Sequence, residues 1–351
     1  MLSLRDLNRA TLARQHLLRR HEGSAADVVH RLAGLQAQEP RPPYLGVWTR
    51  LAGFGRDELH RDLHAGTLVR ATLHRATLHL VTAGDYAAFR PLLHPVLAAA
   101  ARRFEGVDAD AVVAAAARLL AEGPHTFNEL RPKLLEEFPE ADQRHLGYAV
   151  RMLVPLVMVP TQDRWSFPRD PAFAPAGVTL DPAPSAEAFA ERYLAAFGPA
   201  TAADLQAWSG LGGLAPVLDG MRDRLEVLTG EDGRVLYDLP DAPRPGGDVP
   251  APVRFLPDFD TLVLGHADRR RLVADEHRGL VTTKNLRVRA TYLIDGFAAG
   301  TWQIKRSGKK ARLIVTPFAP HRPDILEEEA TALLAFAEPD ATQRTLEVAE
   351  D

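Results

Sequence analysis

The chain contains no cysteine. That excludes disulfides, thiolate zinc sites and a cysteine nucleophile together, and it fits a reducing cytoplasm. No apolar run approaches the ~20 residues that a membrane span needs, so no membrane partner is expected. Met1-Leu2-Ser3-Leu4-Arg5-Asp6 lacks the basic-then-apolar order of a signal peptide, and the expected location is cytoplasmic. There is no GxxxxGK[ST] phosphate loop, no HExxH zinc helix and no GxSxG nucleophile elbow. His74 and His79 flank a strand-like stretch without carboxylates at ligand spacing, and they read as packed or surface histidines rather than metal ligands. Neither a metal nor a cofactor is expected, and familiar hydrolase and transferase chemistry has no support.

What is present is an ordinary globular composition, 46% hydrophobic and 25% charged over 351 residues, enough for two or three domains. The net charge of −4 argues weakly against a polyanionic partner, but the distribution argues for one. Arg254 to Arg322 holds 14 Lys/Arg against 6 Asp/Glu, whereas Pro323 to Asp351 holds 1 against 9. A basic block followed by an acidic tail is an asymmetry suited to nucleic acid, although each charge taken singly also suits a solvated face.

Periodicity predicts a recurring unit. From Leu4 to Leu18 the spacing is helical; Ser24 caps a second helix expected to run to about Gln36–Gln38; Arg56 to His64 forms a third, stopped by Gly66. Strands follow at Leu68–Thr72 and Arg75–Val81. Three helices and a hairpin is the winged-helix order, with the third helix as the major-groove reader. The order returns with Asp108–Ala121, a Thr126/Glu129 capping box, Asp142–Val154 and a wing of Val157–Val159 with Arg164–Phe167. Pro168–Pro184 reads as a linker. A third round begins at Ser185: a helix to Phe197, Thr201 capping Ala202–Ser209, Leu214–Arg222, then Leu225–Leu228 and Val235–Leu239. Gly123-Pro124-His125-Thr126 and Gly198-Pro199-Ala200-Thr201 sit at matching places in rounds two and three, which supports a repeated module. After a second linker, Pro240–Pro252, strands are expected at Ala290–Ile294, Gly300–Arg306 and Ala311–Val315, with a hairpin tip at Ser307–Lys310 and a closing helix at Asp324–Ala337. The expected fold class is α+β, mainly α: units at 1–105, 106–184 and 185–252, then a β-rich segment at 253–351.

Three constellations are candidates for function. Gln36 and Gln38 lie two apart, and Pro40 pushes Glu39 out of helical geometry, so both amides can converge at the exit of the second helix. Two neutral amides can hold a water or a sugar oxygen, and neither is a strong base; glutamines at a helix end also serve simply as solvated caps. Arg75, Thr77 and His79 share one face if the segment is a strand, and either point at DNA or form an ordinary polar face. Lys305, Arg306, Lys309 and Lys310 cluster at the hairpin tip, with Arg269, Arg270, Arg271, Lys284, Arg287 and Arg289 near in sequence. Such a cluster makes phosphate contacts or a solubilising turn.

The phrases Gly34-Leu35-Gln36-Ala37-Gln38-Glu39-Pro40, Tyr44 to Arg50, Arg75 to Val81 with Asp85-Tyr86, Phe255 to Asp260, Ile294 to Phe297 and Gly300-Thr301-Trp302 together resemble the winged-helix DNA glycosylases of the AlkZ/YcaQ type. The resemblance runs from about residue 5 to residue 335. It implies three tandem winged helices about double-stranded DNA, and a Gln–apolar–Gln catalytic motif matched by Gln36-Ala37-Gln38. The implied activity is hydrolytic excision of N7-alkylated purines by a monomer, bulky or crosslinked adducts of genotoxic natural products included, in repair or self-resistance. N7 alkylation makes the base a cationic leaving group, so positioned amides suffice to guide water to C1′. The want of a lysine beside the motif implies a monofunctional enzyme. The competing expectation is a winged-helix DNA binder or regulator without catalysis, which would have no need of the two glutamines.

Overall fold

The computed structural model describes residues 1–102, 108–283 and 287–349. The expected boundary at 105/106 and Lys284 lie outside them.

Among the described residues one connectivity occurs three times: helix, short strand, two helices, and a hairpin whose second strand pairs antiparallel with the short strand. In the first unit these are Ala25–Arg31, Leu35–Gln36, Arg41–Trp48, Arg56–His64, Leu68–Thr72 and Leu78–Thr82. In the second they are Ala109–Ala121, His125–Thr126, Phe127–Glu137, Gln143–Leu153, Leu156–Met158 and Ala172–Pro175. In the third they are Ala186–Phe197, a bridge from Ala200 to Tyr237, Ala202–Ser209, Ala215–Gly220, Glu226–Thr229 and Val235–Asp238. Local chemistry starts the helices as expected. Ser24, Thr126 and Thr201 each accept from the backbone N–H three residues on, and Asp27, Glu129 and Asp204 reach back to complete capping boxes.

Several expectations need correction. The helix begun at Ser24 stops at Arg31 and does not reach the glutamines. Ala33 and Gly34 take positive φ of 51° and 99°, which turns the chain into the extended Leu35–Gln36. A Cβ on Gly34 would lie 2.6 Å from Val81, so the turn needs glycine for space as well as for φ. Arg41–Trp48 is a helix that the sequence reading does not include; Pro42 and Pro43 both sit in its first turn, where the missing N–H groups have no helical partner to lose. Helices Ala83–Leu92 and His94–Ala101 were also unforeseen, the pattern being interrupted by Pro91 and Pro95. In the second hairpin Arg164–Phe167 is a turn; the partner strand is Ala172–Pro175, inside the stretch read as a linker. The acidic tail contains a strand, Gln343–Val348, which pairs parallel with Lys310–Pro317. Helix Arg56–His64 is not a bare reader: His60 and His64 both meet the Thr161 carbonyl, at 3.1 and 3.3 Å, and Arg56 lies over the Trp165 ring.

The strands of the first two units join in one six-stranded sheet through Ala71 opposite Val157. Alternation sorts its side chains. Leu68, Leu78 and Leu80 enter a core with helices of the first two units; Val69, Ala71 and Val81 enter another with Phe89, Phe189, Tyr193 and Trp208. Burial on both faces explains why all five residues of Leu68–Thr72 are buried, Thr72 keeping a small exposure at the strand end.

Beyond residue 253 a five-stranded sheet runs Gln343–Val348, Lys310–Pro317, Phe297–Ser307, Thr291–Ile294, Arg254–Leu256, with helix Glu327–Ala337 packed on it. Two sealed ion pairs tie distant segments together. Arg50 meets Asp260 at 2.9 and 2.8 Å, and Arg14 meets Asp238 at 2.6 and 2.8 Å, each pair bidentate. Among the described residues no helix is long and apolar enough to cross a membrane.

Candidate active site

Gln36 and Gln38 do converge, but on an extended segment rather than at a helix exit. The strand puts Gln36 opposite His79, and the ladder continues as the Ala37 N–H donates to the Leu78 carbonyl at 2.7 Å. Side chains two apart on such a segment share a side. Both amides line a cleft of about 410 Å³ together with Thr72, Ala76, Thr77, Leu78, Arg151, Phe259 and Arg287.

Buried groups hold the loop from three directions. Arg70, on strand Leu68–Thr72, donates from Nε to the Ala37 carbonyl at 2.9 Å and from a terminal nitrogen to the Gln38 carbonyl at 3.2 Å. Its plane lies over Phe167, and burial pulls its pKa down to about 10, which leaves it protonated at neutral pH. From the C-terminal segment, the Thr261 hydroxyl accepts from the Gln36 N–H at 3.1 Å. Thr261 follows Asp260, which is locked to Arg50. Below the loop, Arg75 donates to Gln36 Oε1 at 2.9 Å and to the Trp208 carbonyl. Gln38 stands exposed, its Oε1 receiving a long 3.4 Å contact from the Leu78 N–H.

The expected strand face of Arg75, Thr77 and His79 does not form. Arg75 lies in a short 3₁₀ turn, His74–Ala76, with positive φ at Arg75 (52°) and Ala76 (57°). The turn folds inward, so His79 is 1% exposed and is not presented to DNA. His79 Nδ1 lies 3.0 Å from the Thr77 carbonyl, an acceptor, so Nδ1 carries the proton; burial pulls the pKa down to about 3. Its ring packs on His74, which packs on Trp208, and burial holds His74 neutral as well. Thr77 lines the cleft while its hydroxyl donates to the His74 carbonyl.

Much of the basic block is spoken for internally, because its arginines fold back onto carboxylates and carbonyls. Arg254 and Arg271 are buried; Arg270 chelates Asp268 at 2.6–3.1 Å; Arg269 donates to Thr282 at 3.1 Å. At the hairpin tip, Lys305, Lys309 and Lys310 stand exposed as expected. Arg306 also bonds Glu338 at 2.8 Å, and Glu338 meets Arg41 and Arg164 as well, which joins the tip end of the hairpin to the helix that follows the glutamine loop.

Sequence reasoning missed Arg70, Arg151, Phe259 and Thr261. A signal for Arg70 existed, as the one charged residue inside an otherwise uncharged strand, Leu68-Val69-Arg70-Ala71-Thr72. Arg151 and Phe259 arrive from distant segments and carry no local mark.

A family model described as "DNA glycosylase AlkZ-like" matches residues 29–337. The chain belongs to the AlkZ-like DNA glycosylase family. The interstrand DNA cross-link repair glycosylase of Streptomyces sahachiroi is 28% identical over an alignment of 331 residues that covers 88% of each chain. The solved structure of Streptomyces sahachiroi DNA glycosylase AlkZ superposes with a TM-score of 0.81 at 23% identity, over 99% of this chain and all of that one. The AlkZ-like fold thus accounts for the whole architecture, the C-terminal sheet included. The Phe255–Asp260 phrase gains a physical reading in it: Phe259 lines the cleft, Asp260 clamps Arg50, and the next residue holds the Gln36 N–H.

Proposed function

We propose that this chain is a monofunctional DNA glycosylase that hydrolyses the N-glycosidic bond of N7-alkylated purines in duplex DNA, bulky and crosslinked adducts included. The three repeated units are read as winged helices disposed about the DNA, with Lys305, Lys309 and Lys310 contacting phosphate. The carrying observation is the cleft lining. Two neutral amides converge there, and among the described residues its lining has no carboxylate, histidine or lysine; Lys284 lies outside them. A lining without a general acid suits a base that leaves already cationic, and one without a strong base suits a nucleophile that is positioned rather than deprotonated. Arg151 supplies positive charge at the cleft; Arg287 is paired with Asp258 at 3.3 Å and Glu39 at 3.5 Å, two carboxylates that are not part of the lining; and Phe259, which Arg287 approaches on one side, offers a ring on which a base can stack. The family and the relative named for cross-link repair support the same class of substrate.

The bond change is simple. A water oxygen bonds C1′ as the C1′–N9 bond breaks; the electron pair leaves with the purine and neutralises its charge; the water proton passes to solvent. The test uses duplexes carrying N7-methylguanine or a bulkier N7 adduct. Wild type should release the base and leave an alkali-labile abasic site. Gln36→Ala and Gln38→Ala should each lower the single-turnover rate by about 10²–10³. Undiminished release by both variants sinks the assignment; DNA binding with no release from any N7 adduct favours a non-catalytic regulator.

A further inference from the structure

Taking that glycosylase reading as its basis, we infer that Arg75 is a positioning residue that divides the labour of the two glutamines. By holding Gln36 Oε1 it turns the Gln36 Nε2 hydrogens to the cleft, so Gln36 works as a donor and Gln38 supplies the acceptor.

The orientation follows from valence. A guanidinium has donors and no acceptor. The amide atom of Gln36 that lies 2.9 Å from Arg75 is therefore the carbonyl oxygen, whichever way an unconstrained amide would be drawn. Among the described residues Nε2 meets no acceptor, and it is not sealed away: Gln36 keeps 8% exposure and lines the cleft. Arg75 itself has little freedom. Another of its nitrogens donates to the Trp208 carbonyl. Its backbone is fixed in the left-handed region, and Gly210 of the third unit packs so close that a Cβ there would lie 3.2 Å from the Arg75 Cα. Burial pulls the guanidinium down to about 10, so at neutral pH it remains a cation, and among the described residues no carboxylate pairs with it. That charge, directed at Oε1, polarises the amide and strengthens the N–H donors on its far side.

Gln38 is placed differently. Among the described residues its Oε1 has only the long 3.4 Å contact with the Leu78 N–H, so an oxygen lone pair remains for a new donor. A water between the two amides has complementary needs. One of its hydrogens goes to Gln38 Oε1, one lone pair accepts from Gln36 Nε2, and the other lone pair is left to attack C1′. Two interchangeable amides would let that water rotate; one locked donor and one acceptor do not.

Gln36→Glu tests this with the least disturbance, because it keeps an oxygen for Arg75 and replaces the donor with an acceptor. It should lower the rate of release by at least about 10²-fold, whereas Gln38→Glu keeps an acceptor and should stay within about tenfold of wild type. Arg75→Met should reduce kcat about 10–100-fold with KM little changed, and Arg75→Lys should restore part of it. In the Arg75→Met background Gln36→Ala should add much less than it does alone, because both act through one amide. Gln36→Glu as active as wild type overturns the inference, as does full additivity of Arg75→Met with Gln36→Ala. If Arg75→Met fails to fold, by circular dichroism, the Gln36→Glu result decides. Inactive wild type sinks the glycosylase reading; active wild type with inert Gln36→Ala and active Gln36→Glu sinks only this division of roles.

Discussion

The second and third units run their short strand straight into a helix: Thr126 ends His125–Thr126 and caps Phe127–Glu137, and Thr201 follows the Ala200 bridge and caps Ala202–Ser209. The first unit shares the framework but interposes Ala37–Pro40 between Leu35–Gln36 and Arg41–Trp48. The hairpins differ too. The second and third carry loops between their strands, of residues 159–171 and 230–234, whereas the first closes through a half-buried, inward-folded turn that places Arg75 beneath Gln36. The repeat thus supplies a scaffold, and the candidate chemistry sits where one copy departs from it. A departure from local pattern is where function is to be sought once the regular parts are explained.

That contrast depends on the first unit's loop being braced from outside, and the brace is where the largest effect is expected. Arg50→Met leaves the Asp260 carboxylate sealed and without its cation, since both side chains of the pair are fully buried. Removing one partner of such a pair costs about 3–5 kcal/mol. Urea unfolding should show that loss, and base release should fall with it because Asp260 precedes the Thr261 that receives the Gln36 N–H. The double replacement Arg50→Met/Asp260→Leu should recover most of the stability. A single-variant loss below about 1 kcal/mol would mean that the C-terminal segment does not brace the loop.

The inward hairpin turn of the first unit carries a second expectation, in pH. His79 is buried neutral with its folded pKa pulled to about 3, whereas the unfolded side chain titrates near the ordinary 6.5. Between those values the unfolded chain binds the extra proton. The stability due to the neutral ring is therefore complete above about pH 6.5 and is lost as pH falls toward the folded pKa. From pH 7 to pH 5 the loss is about 2 kcal/mol for one such histidine. His79→Gln should flatten the pH dependence of unfolding free energy by that amount over this range. Parallel curves for wild type and variant would show that the ring is not held neutral, and that the first hairpin is as open as the other two.

How much of this was legible beforehand differs by element. Helix starts at Ser24, Thr126 and Thr201 were readable because caps are local, whereas the first round of the repeat was composed wrongly: the expected first helix, Leu4 to Leu18, is Leu4–Arg14 and lies outside the recurring unit, and Arg41–Trp48 stands between the other two helices. The convergence of Gln36 and Gln38 was readable from their spacing of two, yet for the wrong element, because two successive left-handed residues at Ala33 and Gly34 ended the helix early. Helix Arg41–Trp48 was not read, and it carries two prolines in its first turn. The face shared by Arg75, Thr77 and His79 failed because positive φ at Arg75 and Ala76, both non-glycine, has no sequence signature and is imposed by packing against Gly210 and Trp208. The basic block was countable, but a count cannot tell that Arg270 belongs to Asp268 or that Arg306 belongs to Glu338. Thr261 and Arg151 reach the site through tertiary contact alone.

The smallest expected effect is also the control for the comparison. Thr126 occupies in the second unit the place that Gln36 occupies in the first, at the end of the short strand. Its hydroxyl accepts from the Glu129 N–H at 3.2 Å, and Glu129 returns a 2.8 Å acceptor to the Thr126 N–H. If that position is only a cap, Thr126→Ala should cost about 1 kcal/mol in urea unfolding and leave the rate of base release untouched. Gln36→Ala should do the reverse, because the Gln36 side chain caps no helix and its backbone N–H keeps its Thr261 acceptor. A Thr126→Ala variant of unchanged stability that releases base slowly would mean that the strand-to-helix junction of the second unit also serves the reaction, and the chemistry would then belong to the repeat rather than to its one exception.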